Sequence, residues 1–200
     1  MNKLATLKMN KKIEDEILNS YQYGNDFDVK KYPLSLYEKF KNQFSRYDKK
    51  ADIESALKWK YGNSQKINYP ECHKNLIRKV KKAWIKYIHI EEVFRPDLTF
   101  CWWHNELGKT AYITAVWITH LIHHDAGFPI IDQHNFRAMQ ILKNIGKKDK
   151  KKLKKKPSNY RDIMGLEDFI AEIRTVFPNE STMKIDQFLM MYGKKNKFCT

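Results

Sequence analysis

Long apolar runs are missing from this chain. Its most hydrophobic stretch, Ala111 to Ile122, is broken by Thr114, Thr119 and His120 and followed by His123, His124 and Asp125, so it falls short of the roughly 20 residues that span a bilayer. No membrane location is expected. The first residues carry Lys3, Lys8, Lys11 and Lys12 with no apolar core behind them, which does not read as a secretion signal. Cysteine is scarce as well. Cys72, Cys101 and Cys199 are odd in number and unpaired in spacing, which argues against a disulfide framework and a thiolate metal site. These absences predict a cytoplasmic protein. Alternating strand patterns and internal repeats are also lacking. Acid is short: 38 Lys and Arg face 23 Asp and Glu, a net charge of +15. A domain this basic usually meets a polyanion, and nucleic acid is the first candidate. An anionic membrane surface is less well matched, because no amphipathic Lys/Arg helix shows an exposed aromatic face.

What is present is enough for a folded core. The chain has 200 residues, 42% of them hydrophobic and 14% aromatic, which is globular rather than disordered. A single domain is expected, with two lobes as an option: about 1–30 with 128–200, and about 31–127. The basic charge is concentrated between Lys147 and Lys156, where eight lysines accompany one aspartate. Such a run is either a solvated loop or a contact with phosphates.

The apolar spacing predicts helices throughout. Ile13 to Tyr21 ends at a Tyr23-Gly24-Asn25-Asp26 turn signal, and Ser35 to Phe44 carries Leu36, Phe40 and Phe44. Asp48 or Asp52 can cap a third helix that Gly62 stops. Glu71 to about Ile88 buries Leu76, Ile77, Val80, Trp84, Tyr87 and Ile88 and leaves a lysine-rich face. Arg95-Pro96-Asp97 reads as a break, and Leu98 to Trp103 as a compact aromatic segment. A helix to about His124, apolar nearly all round, is central. Leu166 to Phe177 and Thr182 to Tyr192 complete an all-α reading of eight or nine helices.

The most informative stretch is Phe128 to Ile141. Pro129 disfavours helix at Phe128, and Asp132 stands where an N-cap belongs, ahead of a stripe of Phe136, Met139, Ile141 and Leu142. A carboxylate fixed there, behind apolar Ile130 and Ile131, can carry chemistry or simply cap. Aromatic residues supply stacking candidates. Leu57-Lys58-Trp59-Lys60-Tyr61-Gly62 alternates bases with rings, a pattern that suits a nucleic-acid groove or a core edge, and Trp102 and Trp103 add two indoles.

Gly108-Lys109-Thr110-Ala111 followed by Pro129-Ile130-Ile131-Asp132-Gln133-His134-Asn135-Phe136-Arg137 resembles the helix-hairpin-helix DNA glycosylases. The resemblance spans roughly Gly108 to Ala138 and the all-helical layout. It implies a two-lobed helical fold acting on double-stranded DNA as a monomer without cofactor, with Asp132 as the catalytic acid. Lys109 falls at the position of the nucleophilic lysine that some members carry. Base-pocket or DNA-binding positions would be Trp59, Lys60, Tyr61, Trp102, Trp103, Gln133, His134, Arg137, Lys154, Lys155 and Lys156. Asn105-Glu106-Leu107 replaces the usual Leu-Pro-Gly-x-Gly hairpin, the Lys109 to Asp132 interval is a helical turn longer than usual, and the iron-sulfur cysteines are absent. A monofunctional enzyme is therefore expected, excising a damaged or modified base in repair or in defence against foreign DNA.

Two other classes fit parts of the chain. His120 and His124 are one helical turn apart, and His124-Asp125 is similar to the His-Asp signature of metal-dependent phosphohydrolases acting on nucleotides. Histidines in a last helical turn are also favoured by the helix dipole alone. A non-catalytic basic helical module that binds nucleic acid is the third reading. A phosphate loop at Lys109-Thr110 lacks its upstream glycine, and neither Cys72 nor Cys101 is marked as a nucleophile.

Overall fold

A computed structural model describes residues 9–90, 95–146, 153, 154 and 156–196. Among these residues the chain is all-α, with nine α-helices, short 3-10 turns and no strand. No described helix is long and apolar enough to cross a membrane. The chain divides into two compact units: one of residues up to Phe27 together with those from Ile131 onward, the other of Asp28–Ile130.

The Asp28–Ile130 unit holds α2 (Leu34–Ser45), α3 (Ile53–Lys60), α4 (Glu71–Tyr87), α5 (Pro96–Leu107) and α6 (Tyr112–His123). Asp52 caps α3 by accepting from the Ser55 amide at 3.1 Å, and Gly62 ends it at φ +66°, a left-handed conformation that suits glycine. Pro96 stands at the first position of α5, where a missing N–H costs nothing. What reads in sequence as a break is thus a helix start. Gly108, at φ +87°, separates α5 from a 3-10 turn over Lys109–Ala111 that leads into α6. Residues Thr114 to Leu121 of α6 are all buried, because α5 and α2 cover it. Its Trp117 stacks on Trp59 at 5.1 Å between ring centres and donates its indole N–H to the Ala56 carbonyl.

In the other unit, α1 (Lys11–Ser20), a 3-10 turn (Tyr21–Asp26), α7 (Gln133–Leu142), α8 (Tyr160–Val176) and α9 (Thr182–Lys195) enclose Ile17, Phe136, Leu142, Leu166, Phe169 and Phe188, all fully buried. α8 begins six residues before its expected start at Leu166, because Asn159 and Asp162 form a reciprocal capping box. α9 packs on α7 and on the Tyr21–Asp26 turn, so the chain's early and late segments share one core.

Candidate functional site at the start of α7

Phe128 and Ile131 are buried, and the extended backbone they anchor delivers Asp132 to the N-cap of α7 at φ −138°, ψ −178°. Oδ1 of Asp132 accepts the amides of His134 and Asn135 at 2.7 and 3.0 Å. The Asp132 amide in turn donates to Asn135 Oδ1 at 2.7 Å, closing a reciprocal box. Asn135 is itself buried, and its Nδ2 donates to Asp186 Oδ1 of α9 at 2.9 Å. The half-buried Asp132 carboxylate is therefore fixed through the backbone on one side and tied to a second helix through Asn135.

Two further contacts hold α7 against α9. Arg137 Nη1 donates to the Gly193 carbonyl at 2.9 Å, so this guanidinium grips the backbone of α9. Beneath it, Gly193 lies so close to α7 that an added Cβ would stand 1.9 Å from the His134 carbonyl oxygen. Of the neighbouring candidates, Gln133 is exposed, and the His134 amide serves the cap. Asn135, Asp186 and Gly193 are absent from the sequence-based set. Asn135 was findable as the third residue after a capping Asp. Asp186 and Gly193 carry no local signal.

The remaining candidates belong to the Asp28–Ile130 unit or to the lysine run. Lys109 is exposed on its 3-10 turn. Lys60 Nζ lies 5.4 Å from the centre of the Trp117 ring. Trp103 is fully buried, and Trp59 is buried with its indole N–H donated to the Pro33 carbonyl at 3.0 Å. These two rings are core, which is the core alternative left open for Trp59 and a correction for Trp103 as a base-pocket surface; long-range packing against Tyr37, Trp84 and Trp117 decides it. Trp102 is half-buried against Tyr87 and Trp103. Tyr61 is also half-buried, bonding to Thr114 Oγ1 at 2.7 Å and stacking on His73. Lys154 pairs with Asp162 at 2.5 Å, whereas Lys156 is exposed. Lys155 and Lys147 to Lys152 lie outside the described residues.

The alternative metal set of His120, His124 and Asp125 is not assembled for coordination. His120 is buried with both ring nitrogens in use, Nδ1 on the Phe128 carbonyl and Nε2 on the Tyr37 hydroxyl, each at 2.6 Å. A carbonyl only accepts, so Nδ1 carries the proton and Nε2 accepts from Tyr37. His124 places Nδ1 on the Leu121 carbonyl and Nε2 3.0 Å from Asp125. Among the described residues no group of three or more His, Cys, Asp or Glu is placed to hold a metal ion.

Burial of His120 has a consequence for acid stability. Desolvation pushes its pKa down to about 3, with the nearby Lys60, His124 and Lys41 charges acting in the same direction and the Phe128 carbonyl opposing. His73 and His123 are lowered too, by burial. An unfolded chain binds these protons near the ordinary histidine value while the fold does not, so stability is complete above that value and drains as pH falls toward 3. Between pH 7 and pH 5 the fold is expected to lose on the order of 2 kcal/mol through His120. Denaturant titrations of wild type and His120→Gln should show that loss diminished in the variant, and equal pH slopes would refute the assignment.

Comparison of the chain with protein-family models, with curated proteins and with solved structures gives no match.

Proposed function

We propose that this chain is a monofunctional DNA glycosylase that hydrolyses the N-glycosidic bond of a damaged or modified base, with Asp132 as the catalytic carboxylate. The observation that carries the reading is the fixed acid at the start of α7, delivered by a buried extended segment and held by two backbone amides. The net charge of +15 adds affinity for phosphates. Breaking the glycosidic bond sends the bonding electrons out with the base and leaves positive charge on the sugar. A carboxylate that cannot rotate away from that charge stabilises it without reorganising. Water then adds to the sugar carbon, and its proton passes to Asp132 or to solvent as the departing base gains one. Lys109 has no part in this scheme.

The test is release of free base from a panel of DNA duplexes, each containing one altered base, with abasic sites revealed by alkaline strand cleavage. Base release from at least one duplex in the presence of chelator is the expected result. Duplexes that are shifted in a gel but stay intact across the panel would replace the enzyme with a nucleic-acid-binding module. Activity that chelator abolishes would favour a phosphohydrolase instead.

A further inference from the structure

Within the Asp28–Ile130 unit, α3, α4 and the α5–α6 junction border a cavity of about 530 Å³. Its size lies in the range of about 300–1,000 Å³ common for small-molecule sites. Tyr61, Cys72, His73, Lys79, Leu107 and Thr110 line it. Tyr61 and His73 present a stacked pair, ring centres 4.2 Å apart and planes 24° from parallel. The pair is held from both sides. Tyr61 bonds to Thr114, and Asn63 Nδ2 contacts His73 Nδ1 at 3.1 Å. With the amide donating there, the remaining ring nitrogen of His73 carries the proton and is a donor. Burial lowers the His73 pKa, which keeps the ring neutral near pH 7. Lys79, whose Nζ donates to the Leu107 carbonyl at 2.8 Å, puts a cation on the wall, and Thr110 adds an exposed hydroxyl. The Leu107 side chain supplies apolar surface.

We infer that this cavity binds a nucleotide, its base against the Tyr61–His73 pair and its phosphate toward Lys79 and Thr110. A planar heterocycle rich in acceptors suits an aromatic platform with a ring N–H beside it. A phosphate suits an ammonium with a neighbouring hydroxyl. The nucleotide can be a free mononucleotide or one unit of a DNA strand, since both offer the same ring and phosphate. The inference does not depend on Asp132, and base release can fail while this site binds, or the reverse.

Cys72 is exposed on the cavity wall and Cys101 is exposed without lining it, which provides a probe and an internal reference. Wild-type protein would be alkylated with N-ethylmaleimide, each cysteine followed by peptide mass, in the presence of deoxynucleoside 5′-monophosphates, a single-stranded oligomer or ribose 5-phosphate. Millimolar nucleotide is expected to slow Cys72 modification about fivefold relative to Cys101, as for a weak site filled at several times its Kd. Protection should vanish in His73→Ala and in Tyr61→Phe/His73→Gln, with far-ultraviolet circular dichroism confirming that each variant is folded. Protection by the mononucleotides identifies the free ligand, and protection by the oligomer alone identifies a strand. Equal protection by ribose 5-phosphate would reduce the site to a phosphate contact and overturn the assignment, as would no protection in any arm.

Discussion

Asp132→Asn is expected to abolish base release, by about a thousandfold or more, while leaving the fold as stable as wild type. The substitution separates two roles that Asp132 holds together. As a cap it accepts the His134 and Asn135 amides through Oδ1, and asparagine offers a carbonyl oxygen at the same place with nearly equal capping strength. The reciprocal bond from the Asp132 amide to Asn135 uses backbone and survives unchanged. The negative charge and the proton-accepting capacity disappear. Asp132→Ala, by contrast, is expected to cost about 1 kcal/mol of stability as well as activity. Single-turnover base release and denaturant midpoints on the same preparations distinguish the outcomes. Full base release by a folded Asp132→Asn protein would leave this residue as a cap and nothing more.

The largest effect on stability is expected at Gly193. A Cβ there would stand 1.9 Å from the His134 carbonyl oxygen, 2.7 Å from its carbon and 3.2 Å from the Ala138 amide nitrogen. All three are backbone atoms, so no rotamer change relieves the clash and α7 must move away from α9. That movement pulls apart the Arg137 bond to the Gly193 carbonyl and the Asn135 bond to Asp186. Gly193→Ala should therefore cost at least about 3 kcal/mol, a fall of about 10 °C in Tm for a chain of this length. At Gly165, inside α8, an added Cβ would meet nothing within 4 Å. Gly165→Ala is the matched control, and higher helix propensity should make it about 1 kcal/mol more stable. A Gly193→Ala protein that melts with wild type would mean that the two helices do not approach as closely as described.

The helical class and most helix positions were legible because apolar spacing and caps are local properties. Asp52, Gly62 and Asp132 each act at the place their sequence context indicates. Helix α5 was not legible from spacing. Its buried face is Thr99, Phe100, Trp103 and Leu107, but a polar Thr99 inside and apolar Leu98 and Cys101 outside blur that stripe in the sequence. The early start of α8 was hidden for another reason: Tyr160, Arg161 and Asp162 show little apolar character, so the first turn is marked by the capping pair, and the buried stripe begins only at Ile163. At the candidate site the acid was readable and its support was not. Asn135 meets Asp186 across 51 residues, and Gly193 matters only through what lies above it. Trp59 stayed open between groove and core edge because base–aromatic alternation is a local pattern, whereas burial between Tyr37 and Trp117 depends on two other helices.

The discontinuous unit also constrains how the protein matures during synthesis. Tyr192 donates to Glu16 at 2.9 Å across 176 positions, and α9 supplies the surface on which the Tyr21–Asp26 turn rests. The Asp28–Ile130 unit contains its own partners and can condense while the ribosome is still translating. The leading helix waits longer: it packs on α7 and its Glu16 meets Tyr192 of α9, so its apolar side stays uncovered until these later helices emerge, and this long closure slows the final step. Slow translation of the intervening codons would lengthen that exposure, and chaperone dependence should concentrate on α1 rather than on the more hydrophobic α6.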